Sequence, residues 1–386
     1  MIMKKIIALF FTLVCFSWLI PFYAAAESND FSSSQAEQIE EFQEEITDEI
    51  MGAADEDITD ILEENGISVD KPQAINDISI SSVIGRIISG FTEAIKEPLV
   101  MLGKIMAVTL LCVAAQSMAP EGAATTNVFK TLGLLSVITV MYDVLYTGLE
   151  TVEASLERLS EFMISYIPIF SSITAVGGSV TSSGSYYAMT LIACQVIGVI
   201  ASKVIMPFLS IILAISLVSA INPNLQFSGA AESIKKACQW ILGGLTTLFV
   251  GLLSIQGMTG SAADSLVSRT AKFAASSFIP IIGGAVSEAY STLYSSIGII
   301  RTGVGTIGII AILIIVLQPI LTIVATKFVI TIAQIISGIF NQRECCEFLK
   351  STNAVLSIGL SVVICFSLIF IISTAVLMLM AMNIDI

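Results

Sequence analysis

Long apolar segments separated by short polar ones dominate the chain from residue 98 onward. A helix that crosses a bilayer needs about 20 apolar residues. Seven segments come close to or exceed that length: 98–118, 127–149, 185–204, 236–258, 296–317, 319–340 and 352–381. Residues 206–222 are shorter, but Pro207 in their first turn suits a helix start and makes them an eighth candidate. The pattern predicts an all-α polytopic membrane protein with about eight transmembrane helices, bundled over residues 98–381.

Two further apolar segments are too short to cross a bilayer. Residues 162–176 and 273–286 stay apolar for only about a dozen positions and are rich in Ser and Gly. Short segments of this kind favour re-entrant or interfacial structure over a full span. We therefore predict that each segment enters the membrane and returns to the same side, with full crossing as the alternative.

Four prolines indicate an internal repeat. Pro168 and Pro280 are 112 residues apart, and so are Pro207 and Pro319. Pro168 and Pro280 are each the middle residue of an Ile-Pro-Ile tripeptide. Shared apolar composition is the alternative explanation, but proline is scarce here and the equal spacings favour duplication. All four prolines are candidate helix-break positions, because proline cannot donate a backbone hydrogen bond.

The predicted repeat divides the bundle into copies at about 127–222 and 236–340, followed by a final span at 352–381. If the Ile-Pro-Ile segments are re-entrant, an odd number of spans separates equivalent points, and the second copy is inverted as in many transporters. If those segments cross fully, the copies are parallel. We predict the inverted arrangement, in which the loops after the two Ile-Pro-Ile segments open to opposite faces of the membrane.

The N-terminal region precedes the bundle in three parts. Residues 1–26 have the basic start, apolar run and small-residue end of a secretory signal peptide, with an uncleaved anchor as the alternative. Residues 27–70 contain sixteen acidic residues and no basic one, so they account for the net charge of −14, the rest of the chain being close to neutral, and form an exported acidic helical segment. Residues 71–97 form an amphipathic helix at the membrane surface or on a partner, because apolar residues recur at helical spacing from Ile80 to Ile95.

The composition agrees with a membrane protein and excludes common chemistry. The mean hydropathy is +0.91, and only 12% of residues are charged, against about 25% in soluble domains. The chain has no His, which removes the commonest general base and the commonest metal ligand. It also lacks a phosphate-binding Walker loop. We therefore expect no enzyme activity, no metal, no cofactor and no nucleic-acid partner.

Charged residues inside the spans are the candidate functional residues, since a charge in the bilayer is costly and normally faces a partner or water. Asp143 lies deep in the second predicted span and Lys327 lies near the middle of the seventh, and we predict that they form an intramembrane polar pair. Lys104 and Arg301 lie nearer to span ends, where their side chains can extend to the surface.

Two glycine-containing stretches permit more than one interpretation. Residues 303–308 match a dinucleotide-binding fingerprint by letters, but they lie inside a span, so close helix packing by small residues is favoured. The polar residues 177–184 follow the first Ile-Pro-Ile segment. Their backbone could line a cavity, but a flexible linker is the favoured interpretation.

The basic residues give a predicted orientation that is not fully consistent. An exported N-terminus and the predicted spans leave most loop cations in the cytoplasm and the acids of residues 150–161 outside. Lys235 and Lys236 fall outside and contradict this scheme. The cytoplasmic set is Lys130, Arg269, Lys272, Arg343 and Lys350.

These features together resemble the stage III sporulation protein AE family of endospore-forming bacteria. The resemblance rests on the signal, the acidic exported segment, the two pairs of prolines, and the loop Asn341-Gln-Arg-Glu-Cys-Cys-Glu-Phe348 before the last span. It covers the whole chain, and it is one of layout more than of a sharp motif. The family has no catalytic signature, so no catalytic residue is assigned.

The resemblance implies a multi-pass protein of the mother-cell (outer forespore) membrane. Its partners would be other proteins of the same sporulation operon, including a cytoplasmic ATPase and ring-forming channel proteins. The expected function is that of a polytopic subunit in a secretion-like channel, or feeding tube, that sustains late gene expression in the forespore. A stand-alone secondary transporter or permease is the alternative, because the repeat suits both.

Overall fold

The computed structural model describes residues 80–118, 123–221, 228–278 and 283–382, together with Gly52. The predicted signal peptide and acidic segment lie outside the described residues. A π-helical turn, Ala201–Ile205, joins the fourth helix to the fifth. The helices are α1 (Ile80–Ala94), α2 (Lys96–Met118), α3 (Ala123–Val176), α4 (Val180–Ile200), α5 (Met206–Ile221), α6 (Ser228–Phe278), α7 (Gly283–Ile339) and α8 (Arg343–Met382).

Six helical runs in the described part of the chain are long and apolar enough to cross a membrane, which confirms the all-helical prediction and corrects the count from about eight. The predicted span 206–222 continues 185–204 in one run, and 319–340 continues 296–317 within α7. Interior prolines do not end these helices, because neighbouring helices and local adjustments accommodate the missing hydrogen bond. The six runs are 85–118, 128–176, 180–219, 233–270, 297–339 and 343–379.

The first Ile-Pro-Ile segment is not re-entrant but forms the last turns of α3. This helix has 54 residues and is therefore about 80 Å long. Tyr166, Ile167 and Phe170 are fully buried, and the ring of Tyr166 stacks on Phe162 and Phe170 with centroids 5.4 and 5.5 Å apart. Packing of these large side chains keeps the segment helical and central. The second Ile-Pro-Ile segment lies partly in residues 279–282, outside the described residues.

Helix α8 is the core of the bundle. In its most apolar stretch 94% of the residues are buried, against 17% in α6. A helix that is apolar on every face needs neighbours on every side, and α3, α4, α5, α6 and α7 all pack on it. Its buried serines are satisfied locally, since Ser357 and Ser361 each bond the backbone carbonyl four residues earlier.

Helices α3 and α7 pack closely and antiparallel. Tyr166 lies against Gly308, Phe170 lies against Gly305, and Gly177 lies against Ile297 farther along. A side chain at Gly308 would overlap the Tyr166 ring, so only glycine permits this approach. The prediction that residues 303–308 serve close helix packing is confirmed.

The two helical hairpins, α3 with α4–α5 and α6 with α7, point the same way. Ser182 at the start of α4 lies against Gly260 of α6, and Tyr186 lies near Leu253, so α4 and α6 are antiparallel. Since α3 runs opposite to α4, it runs parallel to α6. The predicted inverted arrangement is therefore wrong, because the Ile-Pro-Ile segment extends α3 without an extra reversal of the chain. Gene duplication itself stays a prediction.

The bundle thus has two distinct ends. The first end carries the turn between α3 and α4, and the second end carries the turn between α7 and α8 at Asn341. Helix α1 lies within the segment predicted to be amphipathic, residues 71–97, and it packs on α7, where Gly90 approaches Leu321. One apolar residue of α1, Ile88, remains 60% exposed on its outer side.

Candidate functional site: the turn between α3 and α4, and the outer face of α3

The turn between α3 and α4 is an ordered connection rather than a flexible linker. Gly178 has a φ of 82°, a left-handed conformation that favours glycine, and α4 begins two residues later at Val180. Asp264 of α6 accepts two backbone hydrogen bonds from the first turn of α4, from Thr181 N at 2.8 Å and from Ser182 N at 2.9 Å. The linker interpretation of residues 177–184 is therefore wrong.

Asp264 caps α4 from a different helix. Its residue is only 2% exposed, and the first turn of a helix leaves backbone N–H groups without partners inside the helix. The partial positive charge at that helix end also stabilises a carboxylate. Sequence reasoning missed Asp264, because it follows the predicted span 236–258 in a stretch of small and polar residues. The sequence signal that could have pointed to Asp264 is a single acidic residue in such a stretch, next to long apolar segments.

Arg301 lies at the same turn and does not reach the surface. The residue is 2% exposed, and its Nη1 lies close to Gly177, where an added Cβ would stand 3.5 Å away. The expectation that Arg301 extends out of the bundle is corrected, because α3 and the α3–α4 turn cover it. An acid and a base are thus both buried beside one turn, which marks it as a candidate functional site.

Hydroxyl groups continue from this turn into the interior of the bundle. The Tyr166 hydroxyl donates to the carbonyl of Val304 at 3.3 Å, and the hydroxyls of Thr190 and Ser373 hydrogen bond at 2.9 Å. Thr190 belongs to α4 and Ser373 to α8, so the second contact joins the first hairpin to the core helix. The interior between α3, α4 and α8 is therefore polar at this level, although each span is apolar overall.

The predicted pair Asp143 and Lys327 is not brought together. Lys327 donates to the hydroxyl of Ser357 on α8, whereas Asp143 is exposed on α3. No ion pair joins Asp143 and Lys327 in the described part of the chain. The amino group of Lys327 is therefore satisfied by a neutral hydroxyl, that of Ser357, which the periodicity of the sequence could not identify.

The four candidate helix-break prolines take three different positions. Pro168 and Pro319 lie inside α3 and α7, so neither helix ends there. Pro207 follows the π-helical turn Ala201–Ile205 directly, and a residue without an N–H suits such a local irregularity. Pro280 lies outside the described residues. Among the three of these prolines that the structure describes, Pro207 marks a departure from regular α-helix.

The outer face of α3 carries a row of acids, which we call the acidic face. Its four glutamates, Glu150, Glu153, Glu157 and Glu161, are all exposed. Their spacing of three and four residues places them on one side of the helix. Asp143 extends the row by two turns toward the second end of the bundle.

Part of the acidic face, at Glu157 and Glu161, lies at the level of apolar side chains that face outward on other helices. The rings of Phe170 and Tyr186 are 5.6 Å apart, and Tyr186 lines one cavity with Leu253, so these residues define a common level of α3, α4 and α6. Residues 150–161 lie about 15–30 Å from that level, at 1.5 Å per residue. The exposed apolar residues within about 8–20 Å in the same direction are Ile192, Val196 and Val199 of α4, and Trp240 and Leu248 of α6.

Helix α6 also has a largely apolar outer face, between Lys236 and Ile255. Trp240 and Leu248 on this face are 80% and 67% exposed. Large apolar side chains in these positions suit contact with lipid or with another membrane helix.

The long apolar helices and the buried core helix define the class, since the part of the chain that the structure describes is all-helical with six candidate membrane-spanning helices. A model of the stage III sporulation protein AE family matches residues 69–381, and the chain belongs to this family. A role in sporulation follows from that membership.

The chain is 21% identical over 235 residues to a Bacillus subtilis (strain 168) protein named stage III sporulation protein AE. The alignment covers 60% of this chain and 59% of that protein, so the chain spans about three fifths of the length of the relative it matches. No solved protein structure matches the chain.

Proposed function

We propose that this protein is a polytopic membrane subunit of a secretion-like channel complex, or feeding tube, between mother cell and forespore. In this role it resides in the mother-cell membrane around the forespore and supports late forespore gene expression. It carries no catalytic step, and a cytoplasmic ATPase of the same operon supplies energy. Ring-forming proteins of that operon complete the channel across the space between the membranes. Family membership supports the sporulation context of this proposal.

The acidic face of α3 is the observation that carries the proposal. A carboxylate in contact with lipid costs a few kcal/mol or more, and charged side chains in membrane proteins therefore face water or a protein partner. Two of the four exposed glutamates, Glu157 and Glu161, lie level with exposed apolar side chains of α4 and α6 that suit contact with lipid. The outer face of α3 therefore requires water or protein beside it, which an assembly provides and lipid around a single bundle does not.

The packing of the bundle argues against a stand-alone transporter. Its centre is occupied by α8 and by the stacked rings of Phe162, Tyr166 and Phe170. A secondary transporter needs a substrate site near the middle of the membrane between its halves. The cavity between α4, α6 and α8 has a volume of only ≈ 10 Å³, too small for a metabolite. Passage beside α3, between subunits, is the route that fits these observations.

The parallel hairpins also favour one orientation, although it places Arg269 and Lys272, near the end of α6, on the outer side. Lys235 and Lys236 open α6 at the second end, where Lys130, Arg343 and Lys350 also lie. Basic residues are enriched on the cytoplasmic side of membrane proteins, so the second end faces the cytoplasm and the first end faces out. Helix α2 ends at the second end, where Gln342 Nε2 donates to Gln116 Oε1, so the chain enters α2 from the direction of the first end, as an exported N-terminus requires.

The orientation can be tested with single cysteines in a background that lacks the native thiols. We expect Val180→Cys and Ile281→Cys to react with an impermeant maleimide added to intact vegetative cells. Gln226→Cys should react only after the cells are opened. If one of Val180→Cys and Ile281→Cys reacts in intact cells and the other reacts only after the cells are opened, the parallel hairpins are refuted and the inverted repeat is supported.

The channel proposal can be tested in sporulating cells with cysteines at the acidic face. We expect Glu153→Cys and Glu157→Cys to react with a small charged thiol reagent in the assembled complex. Val199→Cys and Trp240→Cys are matched controls at the level of Glu157 on faces that suit contact with lipid, and they should not react. Photo-crosslinkers at Glu153 and Glu157 should capture further copies of the chain or operon proteins.

Two outcomes would contradict the proposal. The first is equal protection of all four positions, with no crosslinked protein at Glu153 or Glu157. The second is substrate uptake by the purified protein alone in vesicles that is lost on substitution of Asp264 or Arg301. That second result would favour the stand-alone transporter.

A further inference from the structure

A small cavity lies between α4, α6 and α8, next to the capped turn. Its polar lining comes from Ser182, Ser185 and Tyr186 of α4, Gln256 of α6 and Ser373 of α8. Its volume is ≈ 10 Å³. That is about the space of one water-sized probe, the smallest cavity that holds a water molecule.

Two of the lining hydroxyls are buried without a well-formed hydrogen bond. Ser182 is 2% exposed and Tyr186 is 3% exposed, and neither hydroxyl has a protein partner of acceptable geometry. The Tyr186 hydroxyl lies near Ser373 and Thr374, but neither makes a hydrogen bond of normal geometry to it. A buried hydroxyl without a partner costs about 1–3 kcal/mol, so such groups are normally satisfied by protein or by ordered water.

We propose that this cavity is a binding site for one structural water molecule, which hydrogen bonds the hydroxyls of Ser182 and Tyr186 and joins α4 to α6 and α8. The two hydroxyls alone meet the minimum of two polar partners that a buried water requires. Gln256 and Ser373 also line the cavity, and the Ser373 hydroxyl in addition hydrogen bonds Thr190. The water lies beside the Asp264 cap, so both interactions fix the start of α4. It holds the first hairpin to the second hairpin and to the core helix.

The lining chemistry favours water over a metal ion. All polar lining groups are neutral hydroxyls and one amide, and no carboxylate lines the cavity. The Asp264 carboxylate next to it already accepts two backbone hydrogen bonds. A neutral ligand that both donates and accepts suits this set.

Radiolytic hydroxyl labelling of the purified full-length protein tests the proposal directly. A bound water produces radicals in place, so Tyr186 should be modified within tenfold of the rate of Tyr187, which is 42% exposed. Tyr166 is fully buried and donates to a backbone carbonyl, and it should remain unmodified. Protection of Tyr186 equal to that of Tyr166 would overturn the proposal.

Substitutions give a second, independent measurement. With a bridging water, Ser182→Ala and Tyr186→Phe should each lower the melting temperature, and the double variant should lose less than the two singles together. In a dry cavity each change removes an unsatisfied hydroxyl, so the melting temperature would stay constant or rise, which refutes the proposal. Tyr187→Phe is the control and should have no effect. Stabilisation by sodium chloride over choline chloride, lost in Tyr186→Phe, would assign a cation and overturn the water site.

Discussion

The Asp264 cap makes a specific prediction about stability. Asp264→Ala removes the acceptor of the N–H groups of Thr181 and Ser182, at 2.8 and 2.9 Å, and leaves both donors in a largely buried turn. Asp264→Asn keeps one carbonyl oxygen, so it can still accept one of the two bonds. We expect both variants to destabilise the bundle, with Ala more severe than Asn.

The magnitude follows from the number of donors left behind. An unsatisfied buried donor costs about 1–3 kcal/mol, and loss of a helix cap costs about 0.5–2 kcal/mol. Hydrogen bonds in membrane bundles lie at the low end of such values, and removal of a buried charge offsets part of the loss. We therefore expect a loss of about 2–3 kcal/mol for Asp264→Ala and about 1 kcal/mol for Asp264→Asn.

A dye that fluoresces on reaction with thiols can report unfolding, because Cys194 and Cys365 are buried free thiols. One kcal/mol shifts the melting temperature of a chain of this size by about 2–4 °C, so Asp264→Ala should lower it by roughly 4–12 °C. Asp143→Ala is the matched control, since Asp143 is exposed, and it should change stability by less than about 0.5 kcal/mol. Equal melting temperatures for the two Ala variants would refute the assigned cap.

Two further stability predictions concern α7. Lys327→Ala should cost about 0.5–1.5 kcal/mol through loss of its hydrogen bond to α8, and its effect should add to that of Asp143→Ala. A coupling free energy above about 1 kcal/mol between the two substitutions in the thermal assay would show that Asp143 and Lys327 do interact, against the structure. Gly308→Ala should cost about 1–3 kcal/mol by overlap with Tyr166, whereas Gly103→Ala, with open space around its Cβ, should be neutral or stabilising. Similar melting temperatures for the two alanine variants would contradict the packing of α3 on α7.

The amino-acid sequence by itself determined the class of the protein and its family. Long apolar runs require helices in a bilayer, because every backbone polar group must be satisfied internally there. The same local signal predicted close packing at residues 303–308, since glycine is informative wherever two helices approach. These conclusions depend on composition and spacing along the chain, and the sequence contains both.

The tertiary structure decided how the runs connect and which charges matter. Proline at 168 and 319 indicated breaks, but packing of buried side chains such as Tyr166 keeps both helices continuous and leaves the hairpins parallel. Asp143 and Lys327 looked like partners because both are rare charges in apolar spans. Pairing, however, depends on which faces of distant helices meet, and that placed Lys327 on Ser357 and Asp264 on the start of α4. Such contacts between residues far apart in the chain leave no local pattern from which they could be predicted.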